Sequence, residues 1–588
     1  MKIRYLNNVT HGLTSWGAVL ALSLALTAFG PGLPALAVES AVLLSIPDDF
    51  AASLDLEAIR LAAVQDDGRV KTVDSLAREK LKYVNSKVAR AGDPVLLYLD
   101  MLMAPEHYRD LRLIFVKKPW VRRDIIEGVR ALLAPPLRTG VVSDAELERF
   151  EEEGLLAPRF LDHPVVQQVT SELQRDLLRT NREMDEIHRA RNIADPRALM
   201  FMLAVIPPPG GTELDRWLPL SAVLGSAAPR DDVHGAMASQ APGVPGMAPD
   251  LSASLSAGWN ELRMAWGARD ATRANTALVS LATDLEKVEP SLYPSLERRS
   301  WESWYYRSHK MTWVWLFYFF ALPFLLIAVV YGVKWARWAG LFLFASGAVA
   351  HTASIVIRWI LAERIPNANM FEAVVASAWF GCVVGLILEI VLRKKPLRNL
   401  PALAASVYAM IALMVGYFSP VTLNSDITTV MPVLDRTIWL YIHTNIVIAS
   451  YALIFFGSVT ALLYVIGRVI NGIRTREKRT DWSGRTGLAR SLDGATMIFL
   501  QLAFISLWSG TALGAIWADV SWGRPWGWDP KEVFALNTWI VLLILVHVRL
   551  MVKEKALYTA ILALISCAVM LFNWIAVNFV VVGLHSYA

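Results

Sequence analysis

Cysteine is nearly absent from this chain: Cys382 and Cys567 are the only two in 588 residues. Each lies inside an apolar run and they make no CxxC pair, which argues against a disulfide framework or a thiol redox centre. Strand-like alternation is scarce, so a sheet-based fold is not expected. A strong charge of one sign is missing too. The 57 Lys and Arg stand against 52 Asp and Glu, a net +5, and no nucleic-acid partner is implied. Long apolar runs are lacking between Val38 and Lys310, but they gather from Met311 onward. With 55% hydrophobic residues and 22 Trp, the chain is too apolar for an ordinary soluble enzyme.

The N-terminus has the form of an export signal. Lys2 and Arg4 precede an apolar stretch from Trp16 to Phe29, a Gly/Pro break follows, and Ala35-Leu36-Ala37 supplies small residues at a cleavage-like site. Whether residues 1–37 are a cleaved signal or a retained anchor, they deliver the next segment outside the cytoplasm. Residues 38–310 read as a mainly helical extracytoplasmic domain, with charged and apolar residues at helical spacing over Leu54–Leu81 and Leu173–Arg191. A stretch from Ala227 to Pro249, rich in Ala, Gly, Pro and Met, divides it. Its histidines (His107, His163, His188, His234 and His309) are scattered and outline no catalytic constellation.

Residues 311–588 hold about eight segments near the ~20-residue length that crosses a bilayer. They fall at 312–332, 338–361, 372–392, 400–418, 439–467, 493–517, 530–552 and 556–581. The fold class is therefore all-α, a polytopic helical membrane protein preceded by the extracytoplasmic domain. Basic residues orient it. Lys334 and Arg337 follow the first span; Arg393, Lys394, Lys395 and Arg398 follow the third; Arg468, Arg474, Arg476, Lys478 and Arg479 follow the fifth; Arg549, Lys553 and Lys555 follow the seventh. Positive loops stay cytoplasmic, so residues 362–371, 419–438, 518–529 and the C-terminal tail are expected outside. The exported domain comes out on the same face.

One outer loop stands out. It reads Trp517-Ala-Asp-Val-Ser-Trp-Gly-Arg-Pro-Trp-Gly-Trp-Asp-Pro-Lys-Glu532. An interfacial aromatic belt accounts for Trp517 and Trp522 as single rings, but not for the interleaving of the loop's tryptophans, Trp526 and Trp528 among them, with Gly523, Pro525 and Gly527, a turn-forming set. Asp529 as N-cap, Pro530 in the first turn and Glu532 complete a capping box at the head of the seventh span. Such a rigid, π-rich shelf suits a flat apolar macrocycle. His443, near the outer start of the fifth span, and His585, beyond the eighth, share its level, and haem iron accepts two axial imidazoles. His351 and His547 lie inside spans two and seven, where ionisable groups are costly and usually functional. Arg358, two turns beyond His351, is a candidate partner for a haem propionate.

Trp522-Gly-Arg-Pro-Trp-Gly-Trp-Asp-Pro-Lys-Glu532 resembles the tryptophan-rich (WWD) signature of the haem-handling proteins of cytochrome c maturation, most nearly the CcsA (ResC) family of system II. The resemblance covers roughly residues 312–588. His351 through Arg358 to Pro366-Asn-Ala-Asn-Met-Phe-Glu372, Trp439-Leu-Tyr-Ile-His443, His547-Val-Arg549 and Gly583-Leu-His-Ser-Tyr587 fit it as well. It implies a multi-pass protein of the bacterial inner (cytoplasmic) membrane that binds b-type haem as a substrate and delivers it for attachment to a CxxCH apocytochrome c. A CcsB/ResB-like membrane protein is the implied partner. His443 and His585 would be the axial ligands of the haem iron, and His547 would belong to haem entry, with His351 less directly implied. Catalytic residues are not identified, and enzymatic activity stays open, as part of a holocytochrome c synthase complex. Two alternatives remain: a haem transporter or chaperone without ligation, and a b-type haem subunit that oxidises quinol. The second needs paired histidines at one depth, whereas His547 lies about 8 Å and His351 about 20 Å from the cytoplasmic edge at ~1.5 Å per residue. The chain has no CxxCH of its own, so it is not a c-type cytochrome. It departs from the family at Glu363-Arg364-Ile365, where Gly-His or Gly-Arg usually precedes the outer-loop proline. The 38–310 domain is an extension absent from short members. Its Asp66–Arg78 stretch is similar to one in long-form relatives.

Overall fold

A computed structural model describes residues 44–84, 92–176, 179–224, 244–418, 423–429, 438–474, 482–483 and 487–579. The candidate export signal, His234 and His585 lie outside the described residues, as does most of the Ala227–Pro249 stretch. Chain contacts divide the described residues into two compact units that meet in sequence at Arg307 and Ser308.

Among the described residues, eight helices are long and apolar enough to cross a membrane. They are His309–Tyr331, Lys334–Ala362, Met370–Leu392, Leu400–Phe418, Ile438–Ile473, Gly487–Trp522, Pro530–Met551 and Lys555–Val577, spans one to eight below. The chain is a multi-pass membrane protein, and its described residues are overwhelmingly helical. Consecutive spans pair as hairpins, one with two, three with four, five with six, and seven with eight, and span eight also packs on span five. Both cysteines are free and buried.

Spans five and six are longer than their apolar runs. Each is a helix of 36 residues, about 54 Å at ~1.5 Å per residue against a hydrocarbon core of ~30 Å. Hydropathy falls at Arg468 or Asp493, but backbone hydrogen bonding continues through them. The charges are matched from outside each helix: Arg468 reaches Glu554, in the connection between spans seven and eight, at 2.8 Å, and Arg549 of span seven grips both oxygens of Asp493 at 2.7 and 2.8 Å. The helix of span six likewise runs through Trp522, so the tryptophan-rich turn is confined to residues 523–529.

The other unit, described from residue 44 to 307, is built mainly of short helices round one hydrophobic core. Two stretches with helical spacing fold otherwise. Leu54–Leu81 contains the antiparallel hairpin β1 (Ala63–Asp66) and β2 (Arg69–Thr72). Its two-residue turn has Asp67 at φ 51° and Gly68 at φ 74°, the left-handed pair that Asp-Gly favours. Leu173–Arg191 is broken between the helices Pro164–Gln174 and Asn181–Ile193. A second two-stranded pair joins β3 (Ile114–Phe115) to β4 (Leu155–Leu156).

The first hairpin rests on buried charge. Lys71 bridges Asp66 at 2.9 Å and Glu79 at 2.5 Å, while Tyr306 donates to Glu79 at 2.5 Å and Arg69 meets Glu302 at 2.6 Å. Burial by itself would raise the Glu79 carboxyl, but Lys71 and Arg69 beside it hold it down at about 2, against an ordinary 4.5. A depressed carboxylate contributes stability above its unfolded pKa and loses it as pH falls toward the folded value. Thermal melts of this unit, followed by tryptophan fluorescence, should therefore drop between about pH 4.5 and pH 2. Glu79→Gln should melt lower at pH 7, at a cost of ~2 kcal/mol, and should flatten that acid slope. An identical slope in the variant would remove Glu79 from the account.

Candidate functional site

At the end of the bundle where spans six and seven are joined, spans five to eight and the segment leading into span three line a cavity of about 240 Å³. Close helix approach makes one wall. A Cβ on Gly510 would lie 2.7 Å from Val447 Cγ2, and one on Gly514 would lie 3.1 Å from His443 Nδ1. Span six thus presents bare backbone to span five, and the imidazole of His443 occupies the space that a side chain at 514 would take. On its other side His443 stacks on Trp517, with ring centroids 5.5 Å apart and planes 23° from parallel. Trp517 is buried and is backed by Trp522 at 4.8 Å, edge to face.

The opposite wall is the turn and the head of span seven. The capping box expected there forms: the Asp529 carboxylate accepts from Lys531 N, and Glu532 Oε2 accepts from Asp529 N at 3.1 Å. The same Glu532 oxygen accepts from Gly527 N at 2.9 Å, which pins the turn onto the helix. Trp526, Lys531 and Glu532 face the cavity from this side. The floor includes Tyr451, whose hydroxyl accepts from Asn573 Nδ2 at 2.8 Å.

A third wall is residues 367–370. Asn367 Nδ2 donates to Thr444 Oγ1 at 2.9 Å, beside His443. The segment is latched by Glu372, which is fully buried and pairs with Arg358 and Arg364 at 2.8 Å each and accepts from Ala368 N at 2.7 Å. Arg358 also donates to the carbonyls of Ser425 and Asp426, and Arg364 to that of Thr428. Glu363 closes span two in the left-handed region at φ 55°, a conformation that glycine takes without strain.

The structure therefore brings together His443 and Trp526 of the sequence-derived candidates, with Trp522 directly behind and Asp529 as the cap that sets the turn. Trp528 stands at φ 56° and is 73% exposed. It meets Trp526 edge to face at 6.0 Å and does not line the cavity. His547 is exposed on span seven, its Nδ1 2.8 Å from Leu543 O. His351 is buried between spans, 3.4 Å from the Tyr318 hydroxyl and 3.1 Å from Val375 O. Neither it nor Arg358 reaches the cavity wall. Trp517 and Lys531 were missed. Trp517 falls one or two residues from an interface in sequence and looks like a lipid anchor; only its spacing from Gly510 and Gly514 on one helical face marks it as inward.

The site falls within the part of the chain that matches known proteins. Residues 367–585 match the family model described as Cytochrome C assembly protein. The "Cytochrome c biogenesis protein CcsA" of Pyropia yezoensis is 30% identical over 273 residues, 41% of this chain and 83% of that protein. The protein of the same name from Chlamydomonas reinhardtii is 29% identical over 235 residues, 40% of this chain and 64% of that one. A third, from Prochlorococcus marinus, is 26% identical over 265 residues, 42% of this chain and 82% of the relative. On the match of residues 367–585 to the family model and of 273 aligned residues to the Pyropia protein, this chain belongs to the CcsA family of cytochrome c biogenesis proteins.

Proposed function

We propose that the cavity receives haem at the extracytoplasmic face of a bacterial inner membrane and holds it for attachment to an apocytochrome c. The observation that carries this reading is the His443 imidazole, stacked on Trp517, on the wall of a largely apolar cavity. The donor set suits a metalloporphyrin. Aromatic rings offer stacking and edge contacts to the macrocycle, and an imidazole supplies an axial nitrogen to the iron. Nδ1 faces Gly514, so Nε2, on the far edge of the ring, is the proposed ligand atom. His585, outside the described residues, is proposed as the second ligand. Thioether formation adds a cysteine S–H across a vinyl C=C of the porphyrin, sulfur to one carbon and hydrogen to the other, with no net redox change. The chain's part is to orient the ring, keep its iron ligated and leave the vinyl edge open to the CxxCH thiols. A CcsB/ResB-like membrane protein is the proposed partner, and His547 and His351 are proposed to act before the cavity, along the route by which haem enters.

Titration of the detergent-purified chain with ferric haem tests the reading. It should give a saturable Soret band with the low-spin spectrum of two nitrogen ligands. A spectrum no different from haem in detergent alone would overturn it. Reporter fusions test the face: an exported reporter should be active at Asn424 and Arg524 and silent at Arg476, and activity at Arg476 would invert the orientation.

A further inference from the structure

We infer that Lys531 is the carboxylate anchor of the cavity, the residue that fixes which edge of the porphyrin faces inward. The inference rests on the haem reading above and names the group that recognises the propionates. Lys531 lies in the first turn of span seven, after the N-cap Asp529 and the proline at 530. A helix start favours negative charge, because its unpaired N–H groups and dipole are positive there. The helix start itself disfavours an ammonium at this position, although the Asp529 carboxylate attracts it, and the N–H groups of the first turn are served by Asp529 and Glu532. Nor does Lys531 stand clear of the protein as a snorkelling surface lysine would. It is partly buried and lines the cavity with His443, Trp517 and Trp526.

The other cations near this end of the bundle are placed differently. Arg358 and Arg364 close on Glu372, and Arg524 is exposed on the turn and does not line the cavity. Among the described residues that line it, Lys531 is thus the one lysine or arginine. A haem ring carries its two anionic propionates on one edge. An iron held at His443 leaves the ring free to rotate about the iron–nitrogen axis, and one charge-assisted contact at Lys531 removes that freedom. Lys531 is in this sense a positioning residue for attachment, because orienting the propionate edge also orients the vinyl edge.

Ferric haem and its dimethyl ester, which lacks the propionate charges, separate this role from general apolar binding. The full-length purified protein is titrated with each and read by Soret absorbance. The native chain should bind haem about tenfold or more tightly than the diester, the scale of a hydrogen bond between charged groups. Lys531→Met should bring that ratio near one by weakening haem and not the diester. Lys531→Arg should keep most of it, and Arg524→Met all of it. Full preference in Lys531→Met would overturn the proposal and leave Lys531 as a cation for lipid headgroups. Equal affinities for haem and diester in the native chain would overturn it without any variant, should Lys531→Met fail to accumulate. If the native chain binds neither porphyrin, the haem reading itself falls, a result distinct from the other two.

Discussion

Glu372→Ala should destabilise the membrane unit by about 3–5 kcal/mol, the cost of leaving buried charge without its partner. The carboxylate is fully buried between two guanidinium groups, the Arg358 side chain 2% exposed and that of Arg364 13%. Removing it leaves two cations facing one another, with neutral carbonyls such as those of Ser425, Asp426, Thr428 and Ile365 in place of a countercharge. The loss extends to the cavity, because Glu372 also binds Ala368 N and its own N–H is capped by the Asn369 side chain at 2.8 Å. Without the latch, residues 367–370 lose the contacts that hold them against span five, and Asn367 loses its register with Thr444. The expected result is a clear fall in melting temperature of the purified protein, together with weaker haem binding in the fraction that stays folded. Glu363→Gly, nine residues earlier at the end of span two, should move stability the other way by ~1 kcal/mol, since it relieves a left-handed non-glycine residue. An unchanged melting temperature in Glu372→Ala would mean that the two arginines find other partners and that the latch is dispensable.

What could be read from the residues follows the range of the interactions concerned. The spans were legible because each is a long local run whose apolarity is independent of its neighbours, and the capping box at Asp529–Glu532 was legible because all its hydrogen bonds lie within four residues. Helix ends were less so: charge stops a hydropathy window at Arg468 but does not stop a helix whose charge is paired with the connection between two other spans. The β1–β2 hairpin was lost inside a helical pattern, although Asp67-Gly68 is a local turn signal that should have outweighed it. The site was half visible. His443 and the tryptophan-rich turn stand out by composition, but the wall between them depends on Gly510 admitting Val447 and Gly514 admitting His443, contacts between spans far apart in sequence and invisible to any window. For the same reason Trp517 was assigned to lipid, and Arg358, plausible for a propionate from its helical face alone, proves to be closed onto Glu372.

His443→Ala should lower haem affinity by roughly 10–100-fold, the scale on which residues that tune a metal site act, and should convert the low-spin spectrum to one with a ligand missing. Free imidazole should restore part of both, since the truncation opens space beside Gly514 where a small heterocycle fits. The tryptophans then separate a haem cavity from a lipid anchor. Trp517 is buried against His443, Trp526 lines the cavity, and Trp528 is 73% exposed. Ring contacts contribute on the order of 0.5–1.5 kcal/mol per pair beyond burial, so Trp517→Ala and Trp526→Ala should each weaken haem binding several-fold, with Trp528→Ala the mildest of the three. A membrane-anchoring role predicts the reverse order, because the most exposed ring has the most lipid to lose, and it predicts lower protein yield with a normal haem-to-protein ratio. Measuring that ratio alongside yield for the four variants decides between them. If His443→Ala and Trp517→Ala retain haem while Trp528→Ala loses it, the macrocycle sits on the outer surface of the turn and the cavity beneath it is packing space alone.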